Sequence, residues 1–348
     1  MHELGFIGAG AHGCHQMRAF AAQADCSVRA IFDVDSQAAE AAGKRFESAI
    51  VCSSMDVLLA LEELEAVVIA TPAETHAAIT EACLKAGKHV LIEKPLAHDV
   101  QAGEAILASA AAHPELKVLV GHAERFNRSY IDCKKAVSDG AVGVPRFLSA
   151  SRLSPLHLND LNWVLGPLDT AVHDIDILLW LIEDQPISVT AQGNSCRTLD
   201  GPCDTIAYQI EFSQGALAQG FISWVDFGPA YPMPDNAHPR LFVHGTGGSL
   251  QLDLWQRPVR LDSRQLGRNY FLDDVLIGYG DYPTQTAAQA AHFIDCLNGR
   301  AELRCSPQEA YRALFVAYAA HRSRLSGGKP VAIDAPLYKP SNSYGNSQ

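Results

Sequence analysis

The segment Gly8-Ala9-Gly10-Ala11-His12-Gly13 has the spacing G-x-G-x-x-G and stands between an apolar run, "LGFI", and a helical pattern, "AHGCHQMRAFAAQ". Each glycine has a purpose at that spacing: the first makes a tight turn, the second lets a diphosphate approach the backbone, and the third lets helix and strand pack closely. The amides that open such a helix can hold an anion. Asp33 closes the next apolar run twenty residues after Gly13, the separation at which a carboxylate accepts hydrogen bonds from an adenosine ribose. A carboxylate there repels a 2′-phosphate, and the following Val34 brings no cation to bind one. NAD is therefore expected in preference to NADP. Asp33 could instead cap a helix, but Ser36 is better placed for that before "QAAEAA".

A second group follows two further apolar runs: Thr71, Pro72 and His76 in "VVIATPAETH", and Glu93 and Lys94 in "HVLIEKPLA". Charges are rarely buried without a partner, so a strand that delivers Glu93 and Lys94 at its end needs a reason. A lysine beside a nicotinamide could stabilise the oxyanion that forms as an alcohol becomes a ketone, with Glu93 as its counter-charge or a ribose ligand. The plain alternative is a surface ion pair at a strand end. A third group lies in "GPLDTAVHDIDILLWL", where Asp169 and His173 are four residues apart on an expected helix and share a face, with Asp176 three further on. Histidine is the usual general base near neutrality, and a carboxylate one turn away can orient its ring. A metal pair and a capped, buried histidine are the other readings, and Asp174 and Asp176 read as structural or partner-facing.

The elements that must position these residues change character along the chain. Apolar runs at Leu4 to Ile7, Ser27 to Phe32, Ala66 to Ile69, His89 to Ile92 and Lys117 to Val120 alternate with helical stretches, the pattern of a parallel sheet covered on both faces. Loops at the C-terminal ends of such strands converge on a ligand crevice. Beyond about residue 122 come a helix over "RSYIDCKKAVSDG", a strand from Arg146, a helix over Asp169 to Ile182, and several strands with short glycine-containing turns. That order describes an antiparallel or mixed open sheet. Helices near Thr284 to Leu297 and Pro307 to Leu325 follow, and the four prolines of Gly228 to Pro239 mark a loop. The expected class is α/β: a doubly wound Rossmann sheet in residues 1–121, an α+β domain with a large open, mostly antiparallel sheet in residues 122–340, and a polar tail in residues 341–348.

Composition agrees with a globular, small-molecule-binding protein. The chain has 348 residues, 48% hydrophobic and 19% charged, with a net charge of -12, which disfavours nucleic acid or an anionic membrane as a partner. No apolar run approaches the roughly 18 residues of a membrane span, and no basic leader precedes "LGFIG", so the expected location is cytoplasmic. Cys14, Cys26, Cys52, Cys83, Cys133, Cys196, Cys203, Cys296 and Cys305 form no C-x-x-C pair. They read as reduced thiols, and no metal site is expected.

Taken together, "GFIGAGAHG", Asp33, "VVIATPAETH", "AGKHVLIEKPLA", "VGHAERFN", "DTAVHDIDILLWL" and "LFVHGTGGSLQL" resemble, in this order, the glucose-fructose oxidoreductase / inositol dehydrogenase family, Gfo/Idh/MocA. The resemblance covers nearly the whole chain. It implies a Rossmann domain followed by an open-faced α/β domain whose sheet commonly makes subunit contacts, hence a homodimer or homotetramer. The implied activity is NAD(P)-dependent oxidation of a sugar or cyclitol hydroxyl, with the family's lysine falling on Lys94, its aspartate on Asp169 and its histidine on His173. In that mechanism His173 takes the hydroxyl proton, Lys94 steadies the alkoxide and Asp169 holds the histidine. Ala171 departs from the glycine of D-x-G-x-H, a change a helix tolerates. "GHAERFN" and "HDID" are closer to the branch with nucleotide-sugar 3-dehydrogenases, which would put Arg125 and Asn127 near the crevice, with Trp163 and Tyr282 as further pocket candidates or packing residues. Arg125 could then bind a phosphate or carboxylate. Two other functions remain open: transient oxidation by a tightly held NAD, and a sugar-sensing regulator that uses the dinucleotide only as a ligand.

Overall fold

In the computed structural model, the described residues are 1–46, 49–155, 165–196, 201–225, 238–254, 259–263, 270–272 and 285–333. The chain divides into two compact units: Met1–Asn127 with Ile277–Leu314, and Arg128–Leu276 with Phe315–Gln348. A single cut after residue 121 thus misses a return of the chain to the first unit.

The first unit begins β1 (His2–Ile7), α1 (Ala11–Ala21), β2 (Cys26–Phe32), α2 (Ser36–Arg45), β3 (Ile50–Val51), α3 (Met55–Leu59), β4 (Ala66–Ile69), α4 (His76–Lys85), β5 (His89–Glu93), α5 (Val100–Ala112) and β6 (Val118–Gly121). All six strands are parallel, in the order β3-β2-β1-β4-β5-β6. The order reverses between β1 and β4, and a ligand crevice opens at such a reversal, beyond the C-terminal strand ends. Burial on both faces explains the unbroken apolar runs: Ala66, Val67, Val68 and Ile69 of β4 are all 0% exposed. On one face Phe20 of α1 stands edge-on to Phe6 of β1, ring centroids 5.8 Å apart.

The second unit runs α6 (Arg128–Ser138), β7 (Pro145–Pro155), α7 (Leu168–Ile182), β8 (Pro186–Asn194), β9 (Thr205–Phe212), β10 (Leu217–Val225), β11 (His238–Gly245), β12 (Gly248–Asp253), β13 (Val259–Ser263) and β14 (Tyr270–Leu272). Then α8 (Gln285–Leu297) rejoins the first unit, where its Phe293 stands edge-on to Phe20 with centroids 6.3 Å apart. The division falls within α9 (Pro307–Leu325), and β15 (Val331–Ala332) adds an edge strand to the second sheet. That sheet has nine strands in the order β14-β13-β12-β11-β7-β10-β9-β8-β15, antiparallel except for the β10–β7 pair. Strand β9 alternates buried and exposed residues along Ala207 to Phe212, as expected where one face is covered and the other open.

Helix α7 covers that buried face. Arg152 of β7 donates from Nε and Nη2 to the Asp174 carboxylate at 2.8 and 2.9 Å, and both side chains are buried. One turn earlier Thr170 Oγ1 accepts from Trp224 Nε1 of β10 at 3.4 Å. Tyr208 packs so closely on Gly220 that a Cβ there would lie 1.9 Å from its ring.

Several expectations change. The cap of α2 is Asp35, not Ser36: its carboxylate accepts from the amides of Gln37 and Ala38, and Ser36 is already the first helical residue. Strands β3 and β15, of two residues each, carry too little pattern to be read. The expected loop from Gly228 lies outside the described residues as far as residue 237, and His238 and Pro239 belong to β11. Among the described residues no helix is long and apolar enough to cross a membrane. The cysteines are free thiols, most of them buried, and burial pushes Cys83 up to about 12.

Removing one partner of a buried ion pair strands the other charge, at a cost of about 3–5 kcal/mol. Asp174→Ala is expected to lower unfolding free energy by about that much in a urea titration, and a loss below about 1 kcal/mol would show that Arg152 does not depend on it.

Candidate active site

The glycine-rich turn joins β1 to α1. Gly8 has φ +102°, and a Cβ on it would lie 2.3 Å from the Ala70 carbonyl oxygen; a Cβ on Gly13 would lie 2.1 Å from the Gly8 carbonyl oxygen. Gly10 differs, because a Cβ there would meet no atom within 4 Å. The outer glycines are required by the fold, whereas the bare backbone at Gly10 faces open space in which a ligand can approach. Asp33, at the end of β2, is fixed by two amides: Ala9 N–H donates to Oδ2 at 2.6 Å and Asp35 N–H to Oδ1 at 2.8 Å. The neighbouring Val34 is 94% exposed.

Beyond β4, Thr71 Oγ1 and Thr75 Oγ1 are 2.7 Å apart, and Pro72 opens a short 3-10 turn. His76 is buried behind them, its Nε2 2.9 Å from the Thr71 carbonyl oxygen and its Nδ1 3.0 Å from that of Pro95. Burial lowers its pKa against the opposing effect of those carbonyls. With both ring nitrogens engaged inside the protein, His76 braces the two loops against each other and does not reach a ligand itself.

The end of β5 carries Glu93 and Lys94, and the Lys94–Pro95 peptide is cis. Lys94 is half-buried and Glu93 is buried. Glu93 is met by His12 Nε2 at 3.0 Å, by the side-chain amide of Gln16, and by the Lys94 backbone N–H at 3.2 Å. Burial works to raise the pKa of Glu93, but the hydrogen bond and charge of His12, with Gln16 and Lys94, hold it below the usual carboxylate range. A Cβ on Gly121, its cross-strand partner, would lie 3.0 Å from Glu93 Oε2, so glycine leaves that side clear.

Past β6, Arg125 is 2% exposed and donates from Nη1 to Glu309 Oε1 at 2.6 Å and to the Arg304 carbonyl oxygen at 2.8 Å. Its charge is matched inside the unit, which removes the expectation that it reads an anionic substrate. Asn127 donates to Gln285 Oε1 at 3.3 Å.

In the second unit Asp169 lies in the first turn of α7 and accepts from the Leu165 amide at 2.7 Å, while His173 follows one turn on, half-buried. Trp163 and Tyr282 lie outside the described residues.

Residues 3–122 match the family described as oxidoreductase family, NAD-binding Rossmann fold, and residues 130–251 match the GFO/IDH/MocA C-terminal domain. The chain belongs to the Gfo/Idh/MocA oxidoreductases. It is similar to inositol 2-dehydrogenase of Rhizobium meliloti (strain 1021), 26% identical over 92% of this chain and 96% of the relative. UDP-N-acetylglucosamine 3-dehydrogenase of Acidithiobacillus ferrooxidans is 34% identical over 56% of this chain and 59% of its own. The crystal structure of a putative myo-inositol dehydrogenase from Sinorhizobium meliloti 1021 superposes with a TM-score of 0.79 at 25% identity, covering 96% of this chain and 100% of the other.

For a Gfo/Idh/MocA enzyme, the residues present fit a dinucleotide: open backbone at Gly10, an anchored carboxylate at Asp33, and a helix start between them. Within the first unit the structure gathers His12 and Glu93 and adds Gln16 and Gln289, which sequence reading passed over. Gln16 could have been found, since it lies four residues after His12 on α1 and so shares its face. Gln289, 273 residues from Gln16, left no local signal.

Gly10→Ala is expected to leave stability within about 1 kcal/mol while weakening NAD binding roughly tenfold or more, because the added methyl occupies ligand space. Gly13→Ala is expected to lose about 1–3 kcal/mol of stability from overpacking. Paired calorimetric titrations and thermal melts separate the two, and unchanged NAD affinity in the Gly10 variant would exclude the turn as the diphosphate site.

Proposed function

We propose that the protein is an NAD-dependent dehydrogenase or reductase acting on a secondary hydroxyl, or the corresponding keto group, of a sugar, sugar derivative or cyclitol. The observation that carries this reading is the end of β5, where Lys94 follows a buried carboxylate that meets His12 of the glycine-rich turn at 3.0 Å and accepts a hydrogen bond from Gln16 of α1. The relatives named for oxidation of inositol and of UDP-N-acetylglucosamine support the substrate class.

Bound nicotinamide supplies the hydride acceptor. His173 takes the hydroxyl proton on its imidazole, Asp169 one turn earlier orients that ring, and the Lys94 ammonium steadies the alkoxide oxygen while the carbon-bound hydrogen leaves with its electron pair. In the reverse direction His173 returns the proton to the oxygen of the reduced ketone. Asp33 favours NAD over NADP, because its carboxylate is held by two amides where a 2′-phosphate would have to fit, and exposed Val34 gives that phosphate no counter-charge. A homodimer or homotetramer is part of the reading: the open face of the second sheet exposes Leu217 and Phe221 on β10, apolar surface suited to a second copy.

Lys94→Ala and His173→Ala are each expected to reduce turnover by roughly 10²-fold to 10⁴-fold while NAD binding persists; near-normal turnover in either removes that residue's role. Asp33→Ala is expected to narrow the ratio of NAD to NADP affinity, and an unchanged ratio would refute the part given to its carboxylate. The activity itself is tested by following NADH absorbance with NAD across hexoses, inositols, sugar phosphates and UDP-sugars, then keto-sugars with NADH. Turnover in one class identifies the substrate, and silence in both directions with NAD bound would refute net dehydrogenation.

A further inference from the structure

Three donors converge on the buried carboxylate of Glu93: His12 Nε2 and the Gln16 side-chain amide on Oε1, and the Lys94 backbone N–H on Oε2. The orientation of the Gln16 amide is set by its second hydrogen, which goes to Gln289 Oε1 at 3.3 Å. An ionised carboxylate, which only accepts, suits three donors, and a buried charge requires a counter-charge. His12 can supply it, but its placement is unusual for a structural ion pair. Its side chain is 57% exposed, it lies in the first turn of α1 within the glycine-rich turn, and its Nδ1 has no hydrogen-bond partner among the described residues. One ring nitrogen meets Glu93, and the ring that carries the other is more than half exposed.

We propose that His12 is a cofactor-positioning residue, clamped through Nε2 on Glu93 and donating its Nδ1–H to the diphosphate of the dinucleotide, so that cofactor affinity falls when the ring loses its proton. The inference rests on the dinucleotide reading above and adds a pH dependence to it. The clamp determines which proton is lost. With Nε2–H held by Glu93, deprotonation takes the Nδ1 proton and turns a cationic donor into a lone pair facing anionic oxygens.

The surrounding charges support the cation near neutrality. The hydrogen bond and charge of Glu93 raise the His12 pKa against burial and the charge of Lys94. His15, with its ring centroid 6.1 Å from that of His12, has its own pKa lowered by burial, then by His12 and Arg18, so it does not substitute as the cation. Asp33 bonds the neighbouring Ala9 amide, and α8 contributes the neutral Thr286, bonded to His15, and Gln289. The direction follows from the raised pKa: the cation is present below it, and both diphosphate affinity and the His12–Glu93 attraction decline as pH rises through it. In that range NAD binding takes up a proton.

The test is NAD affinity of the full-length protein by calorimetry from about pH 6 to about pH 9, a span that brackets a raised histidine pKa. The dissociation constant of the unmodified protein is expected to rise roughly three- to tenfold over that range, the scale of one partly exposed charged contact. His12→Gln should be weak and flat with pH, Glu93→Gln should move the midpoint to lower pH, and His15→Gln should keep the unmodified profile. A His12→Gln protein that retains the slope, or an unmodified protein whose affinity does not change with pH, overturns the proposal. Failure to bind NAD at every pH would instead overturn the dinucleotide reading and the proposal with it. Should His12→Gln not fold, the imidazole resonances of the unmodified protein decide: the His12 pKa is expected to rise on adding NAD, and an unchanged value overturns the role.

Discussion

A carboxylate buried at the end of a central parallel strand is tolerated only if donors surround it, and that requirement at Glu93 organises the first unit around its ligand edge. Meeting it demands a helix α1 whose His12 and Gln16 share one face, a glycine at position 121 to leave the carboxylate room, and a late helix that returns to place Gln289 beside Gln16. The same contacts tie the strand end that carries Lys94 to α1 and, through His12, to the turn that carries Gly10. A structural need, satisfying one charge, thereby holds two functional segments in register.

The second unit meets a comparable need differently. Its sheet is covered on one face by α7, and the buried contacts of Arg152 with Asp174 and of Trp224 with Thr170 hold one stripe of that helix against the strands. Asp169 and His173 each come one residue before an anchored position, about 100° further round the helix axis. Anchoring Thr170 and Asp174 therefore sets the direction of the stripe that includes Asp169 and His173. The acidic pair Asp174 and Asp176, read from the sequence as structural or partner-facing, divides into a structural anchor at Asp174 and a buried residue at Asp176.

Residues that looked alike in sequence separated once their partners were known. Arg125 and Lys94 are both cations just beyond strand ends, yet Arg125 is neutralised by Glu309, a partner 184 residues away. His76 and His12 both follow strands of the parallel sheet. Carbonyl oxygens occupy both nitrogens of His76, whereas His12 meets Glu93 through one nitrogen and its side chain is more than half exposed. Asp35 caps α2 rather than Ser36 because its backbone is extended at the point where the chain enters the helix, a one-residue difference that composition does not encode.

What the sequence determined by itself was local: the glycine spacing, the apolar runs, the pairing of Asp169 with His173 on one helix, and the strand that ends in Glu93-Lys94-Pro95. These are legible because strand burial, helix periodicity and the steric demands of a tight turn act over a few neighbouring residues. The tertiary structure decided the rest: that α8 rejoins the first unit, that Glu93 is met by His12 and Gln16 as well as by its neighbour Lys94, and that Arg125 is a brace. Which charge neutralises which depends on side chains brought together from distant parts of the chain, and burial is what makes that choice energetically decisive.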